Sequence, residues 1–301
     1  MKALLFSGQG VQKVGMGKSL YDNSRAARRV YNEAEGYLGI ELRKICFEGP
    51  EELLTQTSIC QPALYVHGYA VVEALRAADK LDGVEAVLGL SIGELTAYAV
   101  AGVWSFELGL RVVAARGRFM QKACEETKGG MAAVVGGTLE EVEKLCAAYD
   151  IDVANRNCPG QIVISGDFDR VNAAAANAKN YGSFKLVKPL VVAGAYHSRL
   201  MESARESFER FLKLVDFNPP RYRVFTNTTG LEVRTPAEMK AALARQVSST
   251  VLWEDCLRGA LALGCREFYE CGPGAVFKGM VKRVDPSAQV ESISEFSELP
   301  A

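Results

Sequence analysis

The stretch that decides the fold is Val84-Glu85-Ala86-Val87-Leu88-Gly89-Leu90-Ser91-Ile92-Gly93-Glu94. A short apolar run reads as a buried strand, and a helical pattern opens at Glu94. Between them lies Gly-x-Ser-x-Gly. Two glycines leave room for a tight strand-to-helix turn, and such a turn exposes the serine hydroxyl as a nucleophile elbow. The helix N-terminus behind Ser91 favours developing negative charge. A plain Gly-rich turn with Ser91 as a helix cap is the competing reading.

Outward from this turn, strands and helices alternate. Lys2–Phe6 reads as a buried strand, Ser24–Leu38 and Gln61–Ala77 as helices, followed by helices over Glu94–Val103 and Phe106–Cys124. That order predicts α/β architecture with a parallel sheet. From Met131 the pattern changes. Met131–Val135, Ile151–Ala154, Ile162–Ile164 and Phe184–Val192 are strand-like, with helices over Leu139–Tyr149 and Val171–Asn180. Thr138, three residues before Glu141, supplies a capping box. The order βαββαβ is that of a ferredoxin-like layer. Residues 129–194 are therefore expected to form a small inserted subdomain, with 1–128 and 195–301 as the large α/β domain. The crevice between them is the default site. The C-terminal part adds a helix over Ser198–Val215, a strand over Arg223–Thr226, helices near Ala237–Gln246 and Glu254–Leu263, and a strand over Arg266–Glu270.

Composition narrows the function. The 301 residues are 49% hydrophobic, and 35 Lys+Arg against 36 Asp+Glu leave a net charge of −1. That excludes disorder and a strongly basic nucleic-acid binder. No segment reads as a membrane span or leader: the apolar start is broken at Ser7-Gly8-Gln9-Gly10, and Leu95–Phe106 is short of the roughly 20 apolar residues needed. Eight cysteines without a Cys-x-x-Cys pair, beside only two histidines, read as reduced thiols of a cytoplasmic protein with no metal site. Cys158, in the turn Asn157-Cys158-Pro159, is the thiol whose exposure matters.

A serine nucleophile needs a base, and histidine has the right acidity. His67 lies in an apolar helix and reads as packed structure. His197, in Gly194-Ala195-Tyr196-His197-Ser198, sits in a loop where a base or an ordinary surface histidine could stand. Arg116 shares a helix face with Val112, Val113, Phe119 and Met120 and must find an anion. That anion is an internal carboxylate, such as Glu94 or Glu107, or the carboxylate of a substrate gripped bidentately. Gln9, after the first strand, fits the second half of an oxyanion hole whose first N–H is that of Ile92. The same Ser7–Gly10 loop could cradle a phosphate, although it lacks a P-loop ending.

These motifs occur in one fixed order: Phe6-Ser7-Gly8-Gln9-Gly10-Val11-Gln12, the 89–94 elbow, Ala115-Arg116-Gly117, Asn155-Arg156-Asn157-Cys158-Pro159-Gly160-Gln161, Gly194–Ser198, and Gln246 before Val251-Leu252-Trp253. Together they resemble the malonyl-CoA:acyl carrier protein transacylase family, including polyketide synthase acyltransferases, over essentially the whole chain. The resemblance implies an α/β-hydrolase-like core with a ferredoxin-like insert. It implies ping-pong malonyl transfer from malonyl-CoA to the phosphopantetheine thiol of acyl carrier protein in fatty acid biosynthesis. Trans-acting polyketide service and an acyl-thioester hydrolase are the alternatives. By the same resemblance Ser91 is the acylated nucleophile, His197 its base, Gln9 and Ile92 the oxyanion donors, and Arg116 the carboxylate clamp. Gln246 orients the histidine through its backbone carbonyl, and Asn157 or Asn155 lines the site. No cofactor is implied, and nothing demands more than a monomer. An acidic carrier calls for a local basic dock, for which Lys278, Lys282 and Arg283 are the residues, unless they are only a solvated helix face. Three positions depart from the family pattern: Leu90 stands where histidine is usual, Ser7 where proline is common, and Tyr196 where malonyl-specific members carry Phe. An aromatic at 196 favours an unbranched acyl group, while its hydroxyl leaves selectivity open.

Overall fold

The computed structural model describes residues 1–300. Its strands are β1 (Lys2–Phe6), β2 (Val84–Gly89), β3 (Gly129–Gly136), β4 (Asp152–Cys158), β5 (Gln161–Asp167), β6 (Phe184–Pro189), β7 (Arg223–Phe225), β8 (Glu232–Val233), β9 (Glu267–Cys271) and β10 (Gln289–Ile293). They form two sheets. The larger has the order β10-β9-β1-β2-β7-β8, parallel except for the antiparallel edge pair β7–β8. Side chains alternate between its faces, as the two-residue strand period requires. Leu4, Phe6 and Val87 join the core formed with the helices Thr57–Ala77 and Phe106–Glu126. Ala3, Leu5, Ala86 and Leu88 join the opposite core around Trp253, Leu257 and Phe277. A parallel sheet buried on both faces explains why β1 and β2 read as continuous apolar runs.

The second sheet is wholly antiparallel, in the order β4-β5-β3-β6. Here too alternation sorts the residues. Ala132, Val134, Ile162 and Ile164 pack against the helices Leu139–Tyr149 and Phe168–Asn177. Met131, Ala133, Gln161 and Val163 face the other way, into the cavity between the sheets. The capping box at Thr138 and Glu141 is present. β4 is stitched to the larger layer by two backbone bonds, Arg156 N–H to Val251 O (2.9 Å) and Val251 N–H to Ala154 O (2.8 Å). Arg199 adds ion pairs to Asp150 and Asp152.

Several boundaries differ from the sequence reading. The helix expected from Gln61 begins at Thr57, with Pro62 in its second turn; the Gln121 side chain accepts the Thr57 N–H at 3.0 Å and satisfies an end donor. The single helix expected over Ser198–Val215 is a 3-10 turn, Arg199–Met201, followed by Glu202–Leu212. Ser198 caps that turn by accepting the Leu200 N–H. β4 runs through Cys158, where a turn was expected from Asn157, and the Cys158 thiol is buried. β6 stops at Pro189 rather than Val192. Among the described residues no helix is long and apolar enough to cross a membrane, and no cluster of His, Cys, Asp and Glu could hold a metal ion.

Candidate active site

Ser91 sits between β2 and the helix Ile92–Val100 with φ 54° and ψ −111°, a conformation that L-residues rarely adopt. The turn is possible because its flanks lack side chains. A Cβ on Gly89 would lie 1.9 Å from the Gly93 carbonyl carbon, and one on Gly93 would lie 2.0 Å from the Phe6 oxygen. Asn227, in the loop after β7, holds the turn from below. Its Oδ1 accepts the Ser91 N–H at 2.7 Å, and its Nδ2 donates to Gly89 O at 2.8 Å. β7 is the neighbour of β2, so the two strand-end loops meet, as ligand-binding loops of parallel sheets do.

His197 also has positive φ, 57°. Two strained residues facing each other mark a functional site. The Ser91 Oγ to His197 Nε2 distance is 2.7 Å, and His197 Nδ1 is 2.8 Å from the Gln246 backbone oxygen. A carbonyl only accepts, so Nδ1 carries the proton and Nε2 is free to receive the serine's. Burial, and then the Arg116 charge, lower the imidazole from its ordinary 6.5 to about 4. His197 is therefore a neutral base at pH 7. His67 is buried beside Tyr31 and lowered to about 3 by burial, consistent with packing rather than catalysis.

Arg116 is completely buried. Neither Glu94 nor Glu107 bonds it. It donates to Gln61 Oε1 and Gln246 Oε1, both at 2.8 Å, and to Ser91 Oγ at 3.2 Å. Two neutral amides position the guanidinium without cancelling its charge. Burial lowers it to about 10, which leaves it cationic at neutral pH. Arg116 lies one layer behind the cavity wall: Gln61 and Ser91, which it touches, line the cavity.

That cavity has a volume of about 580 Å³ and opens between the sheets. Gln9, Ile92, Asn155, Asn157, Tyr196 and His197 all line it, as do Leu90, Val276 and Met280. Ile92 opens its helix, so its N–H is one of the donors a helix end leaves unpaired. Tyr196 is pinned by Thr57 and by Gln9 Nε2 at 3.3 Å, which fixes the phenol against the wall. Asn157 is buried and its Oδ1 has no protein partner. Lys278, Lys282 and Arg283 are exposed on the helix Phe277–Val284, whose first turn lines the cavity mouth. Sequence reasoning missed Asn227, Gln61 and Thr57. Asn227 had one readable signal, its place just past a short apolar strand in Thr226-Asn227-Thr228.

A strained serine, a neutral histidine and an uncancelled guanidinium around one hydroxyl make a site that can carry an acyl group. A family model described as the acyl transferase domain matches residues 3–296, and the chain belongs to that family. It is 38% identical over 296 residues to a polyketide biosynthesis malonyl CoA-acyl carrier protein transacylase of Bacillus subtilis, covering 96% of this chain and 99% of that protein. It is 36% identical over 298 residues to a malonyl CoA-acyl carrier protein transacylase of the same organism, covering 97% and 93%. Among solved structures it is similar to a malonyl-transacylase in complex with a type II polyketide synthase acyl-carrier protein. That match has a TM-score of 0.95 and 29% identity, and covers 99% of this chain and 97% of the other.

Proposed function

We propose that this acyltransferase moves a malonyl group from malonyl-CoA to the phosphopantetheine thiol of an acyl carrier protein through a malonyl-Ser91 intermediate. The observation that carries the reading is the Arg116 guanidinium, buried, cationic and bonded only to neutral oxygens, 3.2 Å from the Ser91 hydroxyl. In the first half-reaction Ser91 Oγ attacks the thioester carbonyl while His197 Nε2 takes its proton. The oxyanion is received by the Gln9 and Ile92 N–H groups, each worth about 3–4 kcal/mol in comparable sites. Collapse expels CoA, whose sulfur takes the proton from His197. In the second half-reaction His197 deprotonates the carrier thiol, which attacks the malonyl ester and returns Ser91 with its proton. Arg116 holds the malonyl carboxylate throughout, and the Gln246 carbonyl keeps the imidazole aimed. Tyr196 closes the wall against a branched acyl group.

The reading places this transfer in fatty acid biosynthesis, in the cytoplasm, by a monomer without metal or redox cofactor. Polyketide supply by a trans-acting enzyme is the second reading, supported by the polyketide name of one relative. The division into a hydrolase-like core, 1–128 with 195–301, and a ferredoxin-like insert, 129–194, is supported by the two strand orders. A hydrolase with the same Ser–His pair is disfavoured, because plain acyl groups have no use for Arg116. With malonyl-CoA and no carrier, one stoichiometric burst of CoA is expected; rapid steady release would mean hydrolysis.

For the carrier we propose Lys278, Lys282 and Arg283 as the dock, since they stand exposed beside the cavity mouth. Reversing Lys278 and Lys282 to glutamate is expected to raise KM for the carrier about tenfold and to spare that for malonyl-CoA. Equal effects on both substrates would remove the dock.

A further inference from the structure

Glu94 is a completely buried carboxylate that takes no part in the steps above. It lies in the first turn after Ser91, and burial pushes its pKa above the ordinary carboxylate range while hydrogen bonds pull it back. Oε1 accepts from Tyr98 at 2.9 Å. Oε2 accepts from the Asn227 N–H at 2.9 Å and from Gln246 Nε2 at 2.7 Å. The same Gln246 amide turns its oxygen to Arg116 at 2.8 Å. One amide is thus inserted between a buried anion and a buried cation, and its orientation is fixed because Nε2 also donates to Ser91 O at 3.0 Å.

We propose that Glu94 is the counter-charge of Arg116, joined to it through the Gln246 side-chain amide, and that it sets how strongly the guanidinium holds a substrate carboxylate. The inference rests on the malonyl reading above. A direct ion pair would occupy the guanidinium and cancel its field. No counter-charge at all would leave a lone buried cation, costly in the empty enzyme and over-tight on an anionic ligand. The amide bridge gives the intermediate case. Glu94 also repels the bound carboxylate, so both half-reactions can let their product go. Ground-state binding that exceeds what the transition state shares does not speed turnover.

Glu94→Gln tests this, since it removes the charge and keeps the shape. In a Ser91→Ala background, which binds thioesters without turnover, calorimetry measures Kd for malonyl-CoA and acetyl-CoA. Adding Glu94→Gln is expected to tighten malonyl-CoA about tenfold and leave acetyl-CoA unchanged. Malonyl-CoA binding that is unchanged or weaker overturns the proposal. If the parent itself shows no preference for malonyl-CoA, the clamp reading fails as well; if it shows one and Glu94→Gln does not tighten it, only this inference falls. Should Glu94→Gln not fold, the double variant Glu94→Gln/Arg116→Gln is expected to regain a cooperative unfolding transition, because removing both charges leaves neither unpaired. A double variant that also fails to fold overturns it.

Discussion

His197→Ala is expected to slow malonylation of Ser91 by about 10²–10⁴-fold, the usual contribution of a positioned general base. Among the described residues, His197 Nε2 is the proton acceptor in contact with the Ser91 hydroxyl, at 2.7 Å. KM for malonyl-CoA should move little, because the proposed hold on the malonyl carboxylate is Arg116 rather than the imidazole. In the parent enzyme, acylation by a neutral ester should be level across neutral pH and fall only as pH drops towards about 4, where His197 gains its proton. Rapid-quench measurement of the acyl-enzyme checks both statements. A rate within tenfold of the parent would mean that another group takes the proton.

Arg116→Ala is expected to lower kcat/KM for malonyl transfer by about 10²–10³-fold while acetyl transfer is kept or gained. Truncating one partner of a buried charged contact costs about 2–5 kcal/mol, and each 1.36 kcal/mol is a decade of rate. The substitution leaves Gln61 and Gln246 oxygens without their donor, so some stability is lost too. Acetyl transfer is the internal control for that loss. A second sign accompanies the first: without the neighbouring cation His197 should titrate higher, and the acid limb should move towards neutrality. Parallel kinetics with malonyl-CoA and acetyl-CoA check the selectivity, and unchanged malonyl preference would refute the clamp.

The parts of the fold legible in the sequence were those where sterics leave few choices. Gly89 and Gly93 are required by contacts near 2 Å, and a motif with that constraint is readable without coordinates. The antiparallel second sheet was legible because Met131–Val135 and Ile162–Ile164 are short strand-like apolar runs and Thr138 caps a helix through its own side chain. The edge strands β8 and β10 were not read. One has two residues, and Gln289–Ile293 is half polar, so neither carries a strong period. The short helices Lys18–Asn23, Leu42–Glu48 and Glu51–Leu54 escaped for the same reason.

The site divides in a similar way. Ser91 stood out by its Gly-x-Ser-x-Gly turn, His197 as the one histidine in a loop, and Arg116 as a charge inside an apolar helix face. The groups that hold them did not. Asn227, Gln61 and the Gln246 side chain are neutral amides whose work depends on long-range packing, and no local pattern announces it. The expected Arg116 carboxylate was half visible: Glu94 is its anion, but at one amide's remove.

Intact-protein mass spectrometry after mixing with malonyl-CoA, with peptide mapping, bears on all of this at once. One malonyl group per chain, located on Ser91, lost on addition of holo carrier protein and absent from Ser91→Ala, is the expected result. A malonylated carrier formed with no adduct on Ser91, or an adduct that survives in Ser91→Ala, would contradict transfer through this serine.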